Sequence, residues 1–145
     1  MREAGITYRG TIYPWHCDHM GHMNVMWYVG KFDEATWQLF STLGLTPSFL
    51  RRENRGMAAV DQHLSYKREL YAGDVITVRT EVLEVKEKSL RFAHEMRRDD
   101  DGEVAATTIL VGVHIDTNAR RACAFPQAVR HAAEQWLSAD PSRWG

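Results

Sequence analysis

The sequence predicts an α+β fold: one long helix laid against an antiparallel sheet of five strands, with a short helix near the C-terminal end. Three observations carry that expectation. Apolar residues over 25–43 recur at the 3.6-residue period of a helix, whereas those over 58–115 recur largely at a period of two. The period-two segments follow one another through short turns containing Gly and Asp, the connection that joins neighbouring antiparallel strands. A single long helix with one apolar face then has only that sheet to bury it against.

Each element has its own justification. Residues 6–13 are rich in Thr, Tyr and Ile and read as a first strand, closed by Pro14. A loop, YPWHCDHMGHMN, follows. In the helix, Val25, Tyr28, Val29, Phe32, Ala35, Thr36, Leu39, Phe40 and Leu43 fall on one broad face, with Lys31, Glu34, Gln38 and Ser41 opposite. Asn24 suits the N-cap, Gly44 the position after the C-cap, and Pro47 marks the stop. Beyond a polar, Arg-rich connection, Ala58, Val60, Leu64 and Tyr66 alternate with Asp61, His63, Ser65 and Lys67. The Ala72-Gly73-Asp74 turn opens a strand over 75–85, where Ile76, Val78 and Val82 share a face. Leu90, Phe92, His94 and Met96 mark the next strand. After the turn over 99–102, residues 104–115 are apolar on both faces, as in a central strand covered on both sides or one packed in an oligomer. Pro126 starts the short helix, with Val129, Ala133, Trp136 and Leu137 facing inward.

The 145 residues amount to a single domain spanning 1–145, long enough to bury a core without staples. A net charge of -1 argues against nucleic acid as the main partner. The local clusters Arg51, Arg52, Arg55 and Arg120, Arg121 read as solvated surface. Cys17 and Cys123 are far apart and in no paired spacing. The first ten residues hold no apolar run of the signal-peptide kind, and no segment approaches the ~20 apolar residues of a membrane span. The expectation is a cytoplasmic protein with reduced thiols and no membrane partner. One helix leaves sheet surface and edges uncovered, which predicts a homodimer or dimer of dimers.

The segment CDHMGHMNVMWYVGKFDEA, residues 17–35, is similar to a known signature. A loop Asp stands three residues before a Gly, then comes His-x-Asn, then a helix with Tyr and a Phe-(Asp/Glu)-x-Ala segment. Here those positions are Asp18, Gly21, His22, Asn24, Tyr28, Phe32 and Ala35. The set resembles the 4-hydroxybenzoyl-CoA thioesterase-like branch of the hotdog superfamily, and HLSYKRELYAGDVITVRTEV, residues 63–82, resembles its second and third strands. The resemblance implies a hotdog fold, a curved antiparallel five-stranded sheet wrapped around the long helix. It also implies a cofactor-free acyl-CoA thioesterase, with Asp18 catalytic and the Val25 backbone N–H as oxyanion donor. Gly21, His22, Asn24 and Tyr28 are the implied substrate-binding positions. His16 stands where the family usually carries a second Asp, and Val25 where many members have a second Asn, which leaves the substrate open. Within the branch, the wording is most similar to thioesterases of carnitine and betaine breakdown.

The chemistry suits these residue types. Thioester hydrolysis needs an oxygen nucleophile and an oxyanion stabiliser. An ionised Asp can attack the carbonyl or activate water, and the first turn of a helix offers unsatisfied N–H groups at the positive end of a dipole. Asn24 is satisfied as an N-cap, and His22 is either a loop organiser or a ligand contact. His16, Cys17, Asp18, His19 and His22 carry enough ligand atoms for zinc, but no second Cys or His pair completes a known spacing, so no metal is expected. Trp15, Trp27 and Trp37 suit a quaternary-ammonium cage in principle, though aromatics bordering a helix more often serve a core or an interface. The main alternative is a non-catalytic dimer that binds an acyl-CoA or quaternary-ammonium ligand. A hydratase trails, for want of its Gly-Asp-x-Asn-Pro-x-His setting.

Overall fold

The computed structural model describes residues 5–144. In chain order the elements are β1 (Ile6–Thr11), a 3-10 turn (Pro14–His16), α1 (Val25–Thr42), α2 (Pro47–Glu53), β2 (Arg55–Tyr66), β3 (Val75–Val85), β4 (Ser89–Arg98), β5 (Val104–Asp116), the two-residue β6 (Arg121–Ala122), α3 (Gln127–Glu134) and a last 3-10 turn (Pro141–Trp144). The five long strands form one antiparallel sheet in the order β1-β3-β4-β5-β2, and β6 pairs with β5. β1 runs antiparallel to β3, with Tyr8 opposite Val78 and an irregularity between Ile6 and Tyr8.

Contacts gather the chain into two units, each with its own core. The first comprises residues 5–38, 64–80 and 94–108. Here α1 contributes Tyr28, Phe32 and Ala35, which pack with Ile12, Met23, Leu70, Ile76, Val78 and Met96. A buried polar chain crosses this core. His94 is fully buried, with Nε2 2.8 Å from Thr36 Oγ1 and Nδ1 2.6 Å from Thr80 Oγ1, which lies 2.8 Å from Thr7 Oγ1. The Thr36 hydroxyl donates to the Phe32 carbonyl at 3.0 Å, so the imidazole donates to Thr36 through Nε2 and accepts from Thr80 at Nδ1. Burial holds the His94 pKa down at about 3, which keeps the ring neutral.

The second unit comprises residues 39–63, 81–93 and 109–144. Leu39 and Phe40 from the end of α1, and Leu43 just beyond it, pack there with Val82, Leu90, Phe92, Leu110, Phe125, Val129 and Trp136. Packing of α1 within each unit explains why its apolar pattern runs five turns without a break.

Several expectations need correction. α1 ends at Thr42, closed by Gly44 at φ +102, and Pro47 lies beyond that end in the first turn of α2, capped by Thr46, whose Oγ1 accepts the Phe49 N–H at 3.2 Å. The Arg-rich connection is therefore largely helical. β1 ends at Thr11, because Tyr13 instead caps the 3-10 turn. Val25 and Val29, counted on the apolar face of α1, are exposed, whereas Lys31, counted on the polar face, is buried beside the Tyr8 ring. Leu137 is exposed rather than inward. β2 lies at the end of the strand order, and its middle, including Val60, is open to solvent. β5 is an interior strand, between β4 and β2, but only one face of it is covered: Thr108, Leu110 and His114 are buried, while Ile109, Val111, Val113 and Ile115 on the other face are half-buried.

Candidate active site

The loop before α1 is built by its backbone. Cys17 and Met23 pair across it, the Asp18 N–H donates to the His22 carbonyl at 3.1 Å, and the Gly21 N–H donates to the Asp18 carbonyl at 3.0 Å. Gly21 has φ +90, a left-handed conformation that a side chain would strain, and it closes the turn. The Met23 N–H then donates to the Leu70 carbonyl at 2.7 Å, which hangs the loop on the segment leading to β3. The buried His16 works from the other side. Its Nδ1 accepts the Tyr13 N–H at 2.9 Å, its carbonyl accepts the Asn24 N–H at 2.9 Å, and its ring meets Trp27 edge-on at 4.6 Å.

Asp18 is half-buried and held at both carboxylate oxygens. Oδ1 accepts the Met20 N–H at 2.9 Å, and Oδ2 accepts Asn24 Nδ2 at 2.8 Å. The Asn24 bond first, then the Met20 bond, hold the carboxyl below its usual range, so it is ionised at neutral pH. Asn24 does cap α1: its Oδ1 accepts the Met26 N–H at 2.9 Å. Val25 follows as the first helical residue, whose N–H has no acceptor within the helix.

A cavity of about 240 Å³ opens beside this helix start. Met23, Val25, Tyr28 and Tyr66 form its aromatic and apolar wall; His22, Lys67, Arg68 and Glu69 form the polar one. Tyr28 is buried, donates its hydroxyl to the Arg68 carbonyl at 2.9 Å, and is pushed up to about 12 by burial, so it stays protonated. Its ring meets Tyr66 at 5.2 Å and 89°. The Lys67 and Arg68 N–H groups both donate to the Ala105 carbonyl, a two-against-one bulge that accompanies the turn of the Arg68 carbonyl toward Tyr28. His22 Nε2 lies 3.7 Å from Glu69 Oε1, and Glu69 Oε2 accepts the Tyr71 hydroxyl at 2.7 Å.

Of the residues singled out from the sequence, His22, Val25 and Tyr28 line the cavity, while Asp18, Gly21 and Asn24 sit in the adjoining loop. Phe32 and Ala35 belong to the core. Tyr66 and Glu69 were missed as site residues. Tyr66 reads as one more apolar position of an alternating strand, and only the Tyr-Lys-Arg-Glu run just before the Gly73 turn hinted that the alternation breaks there. The three tryptophans do not converge: Trp15 is exposed and stacked on Tyr13, Trp27 packs on His16, and Trp37 is exposed. Among the described residues, no three His, Cys, Asp or Glu side chains group as metal ligands would.

An antiparallel sheet in this strand order, one long helix and a loop carboxylate at that helix's N-terminus define a protein of the hotdog fold class. The sequence profile of the thioesterase-like superfamily matches residues 12–133, and the chain belongs to that superfamily. It is 32% identical over 117 residues to the L-carnitine dehydrogenase/betainyl-CoA thioesterase of Agrobacterium fabrum, a match that covers 81% of this chain and 24% of that protein, about a quarter of its length. It is 24% identical to the long-chain acyl-CoA thioesterase FadM of Escherichia coli, over 85% of this chain and 92% of that one. Among solved structures it is similar to a Staphylococcus aureus protein determined in complex with CoA, with a TM-score of 0.86 and 22% identity, covering 95% of this chain and 89% of that one. No helix among the described residues is long and apolar enough to cross a membrane.

Proposed function

We propose that the protein hydrolyses the thioester of an acyl-CoA to a free acid and CoA, with Asp18 as the reacting carboxylate and the Val25 N–H as the oxyanion donor. One observation carries this reading: an ionised carboxylate is tied through Asn24 to the start of α1, and the residue bearing the first helical N–H lines an acyl-sized cavity. Two routes are open to Asp18. In one, its oxygen bonds to the carbonyl carbon, the C–S bond breaks, the thiolate of CoA leaves and takes a proton, and water opens the mixed anhydride. In the other, Asp18 removes a proton from the attacking water. In both, negative charge develops on the carbonyl oxygen in front of the helix N-terminus. A single turnover in ¹⁸O water tests for the anhydride: label in the Asp18 carboxylate together with an acid that carries no label arises only by that route, through attack of water on the Asp18 carboxyl carbon.

The names of the relatives span betainyl and long-chain acyl groups, and the size and lining of the cavity support a choice between them. About 240 Å³ is below the 300–1,000 Å³ usual for drug-sized ligands. We read the acyl group as small, and the Tyr28–Tyr66 corner with Glu69 favours one ending in a quaternary ammonium. Lys67 and Arg68 oppose a cation, although their backbone, fixed by Ala105, forms their part of the bulge. The active form is proposed to be a cytoplasmic homodimer or dimer of dimers. In the first unit, Val25, Met26, Val29 and Trp37 leave an apolar stripe of α1 exposed; in the second, the β2 edge is open. Thiol release from a panel of betainyl-, acetyl-, benzoyl- and palmitoyl-CoA tests the whole reading. The expected result is turnover with the small cationic substrate ahead of palmitoyl-CoA. Binding without thiol release across the panel would establish the non-catalytic alternative instead.

A further inference from the structure

The side chain of Asn24 divides its two ends between two tasks. Its amide oxygen accepts the Met26 N–H at 2.9 Å, and its amide nitrogen donates to Asp18 Oδ2 at 2.8 Å. A helix cap needs only the first of these. Ser, Asp and Asn serve almost equally as caps, because each brings an oxygen to the N-terminal N–H groups. Of the three, only Asn carries its donor on a second atom, away from the capping oxygen, where it reaches Asp18.

We propose that Asn24 is a positioning residue for the hydrolysis, holding the Asp18 carboxylate in fixed register with the N-terminus of α1. This rests on Asp18 being the reacting group. The Met20 N–H clamps Oδ1 from within the turn, and Asn24 clamps Oδ2 from the helix. With both oxygens held, neither side-chain torsion of Asp18 is free, and one lone pair on each oxygen is left for chemistry. The same amide that fixes the carboxylate is fixed by the helix whose next residue, Val25, presents the oxyanion donor. Reacting carboxylate and oxyanion donor are thereby set by one planar group, the alignment an attack on a carbonyl requires.

The arrangement also acts on protonation. The Asn24 bond is the largest influence holding the Asp18 carboxyl down, ahead of Met20, while His22 and His19 are the titratable groups whose charge bears on it. Removing the amide donor therefore lets the carboxyl rise toward its ordinary range.

Asn24→Ser and Asn24→Asp in the full chain separate the two tasks: both keep a cap oxygen and lose the amide N–H, Asp having no donor when ionised and Ser only a hydroxyl proton on the capping oxygen itself, nearer the main chain. The measurements are kcat and KM against pH, with a melting curve for each variant. The expected result is a melting temperature close to the parent in at least one variant. In that variant kcat falls roughly 10–100-fold, the scale of a misplaced reacting group, with KM changed only a few-fold. Its acidic limb moves to higher pH, since the ionised carboxyl is the active form. A folded variant with parental kcat and an unmoved acidic limb would reduce Asn24 to a cap. So would losses of kcat that only track a lowered melting temperature in both variants. Asp18→Asn runs in parallel: if that protein is inactive while Asn24→Ser is unaffected, the positioning role alone fails. If Asp18→Asn itself turns over normally, the reading beneath it fails.

Discussion

Acid should weaken this protein earlier than its carboxylates alone would require, because His94 is buried as a neutral ring. Its folded pKa is about 3, against 6.5 when unfolded, with burial as the cause. Between those values the unfolded chain binds a proton that the folded chain does not, so stability rises with pH there and is lost as pH falls below about 6.5. Going from about pH 7.5 to about pH 5, linkage makes the loss about 2 kcal/mol for this group alone, a large share of the 5–15 kcal/mol of a typical domain. A variant that does not titrate, His94→Gln, isolates it. The amide carries both its polar atoms at its tip and has none at the Nδ1 position, so it cannot serve both Thr36 and Thr80 well, and the variant should be less stable near neutrality by roughly 1–3 kcal/mol. Its stability should nonetheless fall about 2 kcal/mol less than the parent's on acidification. Urea unfolding followed by tryptophan fluorescence at the two pH values reads both numbers. Identical pH dependence in parent and variant would refute the argument, since it would mean that the folded imidazole takes up the proton as readily as the unfolded one.

Asp18→Asn should lower kcat at least about a hundredfold with KM changed only a few-fold, since it removes charge and basicity but little shape; steady-state thiol release on the folded variant decides it. Replacement of Glu69 by Gln, or of Tyr66 by Ala, should raise KM for a quaternary-ammonium acyl-CoA roughly tenfold, the scale of one cation–π or charge contact, while leaving a neutral acyl-CoA of similar size nearly unchanged. Equal losses on both substrates would remove the cation from the reading. Light scattering at micromolar concentration should give a dimer or a multiple of it, and a monomeric mass would count against the proposed assembly. Chelator should leave turnover unchanged, checked by metal analysis of the same sample, because His16 and His22 already have partners in Tyr13 and Glu69.

Local pattern made the helix and two of the strands legible. Asn24, the unbroken apolar period and Gly44 bound α1, and the alternation through Ile76, Val78 and Leu90, Phe92, His94, Met96 marks β3 and β4, whose inward positions are buried. What depended on partners distant in sequence was not legible. Lys31 sits at a polar position of the helical wheel, yet the Tyr8 ring covers it. Val25 and Val29 look like core residues, yet among the described residues they stay exposed. At the site, the motif placed Asp18 and Val25 at the two ends of one loop, and Asn24 was readable as a cap. That its other end reaches Asp18 follows only once the Leu70 carbonyl has drawn Met23 inward. Tyr66 and Glu69 flank the bulge at Lys67 and Arg68, across which the period of two no longer tells which side chains share a face, so their meeting at one cavity was hidden.

The bond between the Met23 N–H and the Leu70 carbonyl has an evolutionary consequence. It joins main chain to main chain, and both side chains lie in the same core, so the anchorage of the loop does not depend on which polar residues flank it. Tyr66 and Glu69 can therefore be exchanged with little effect on where Asp18 stands. On the proposed function, a lineage with this scaffold could change the acyl group it accepts through substitutions around positions 66–69 while inheriting the Asp18 loop intact. Substrate range would then diverge faster among descendants than reaction type.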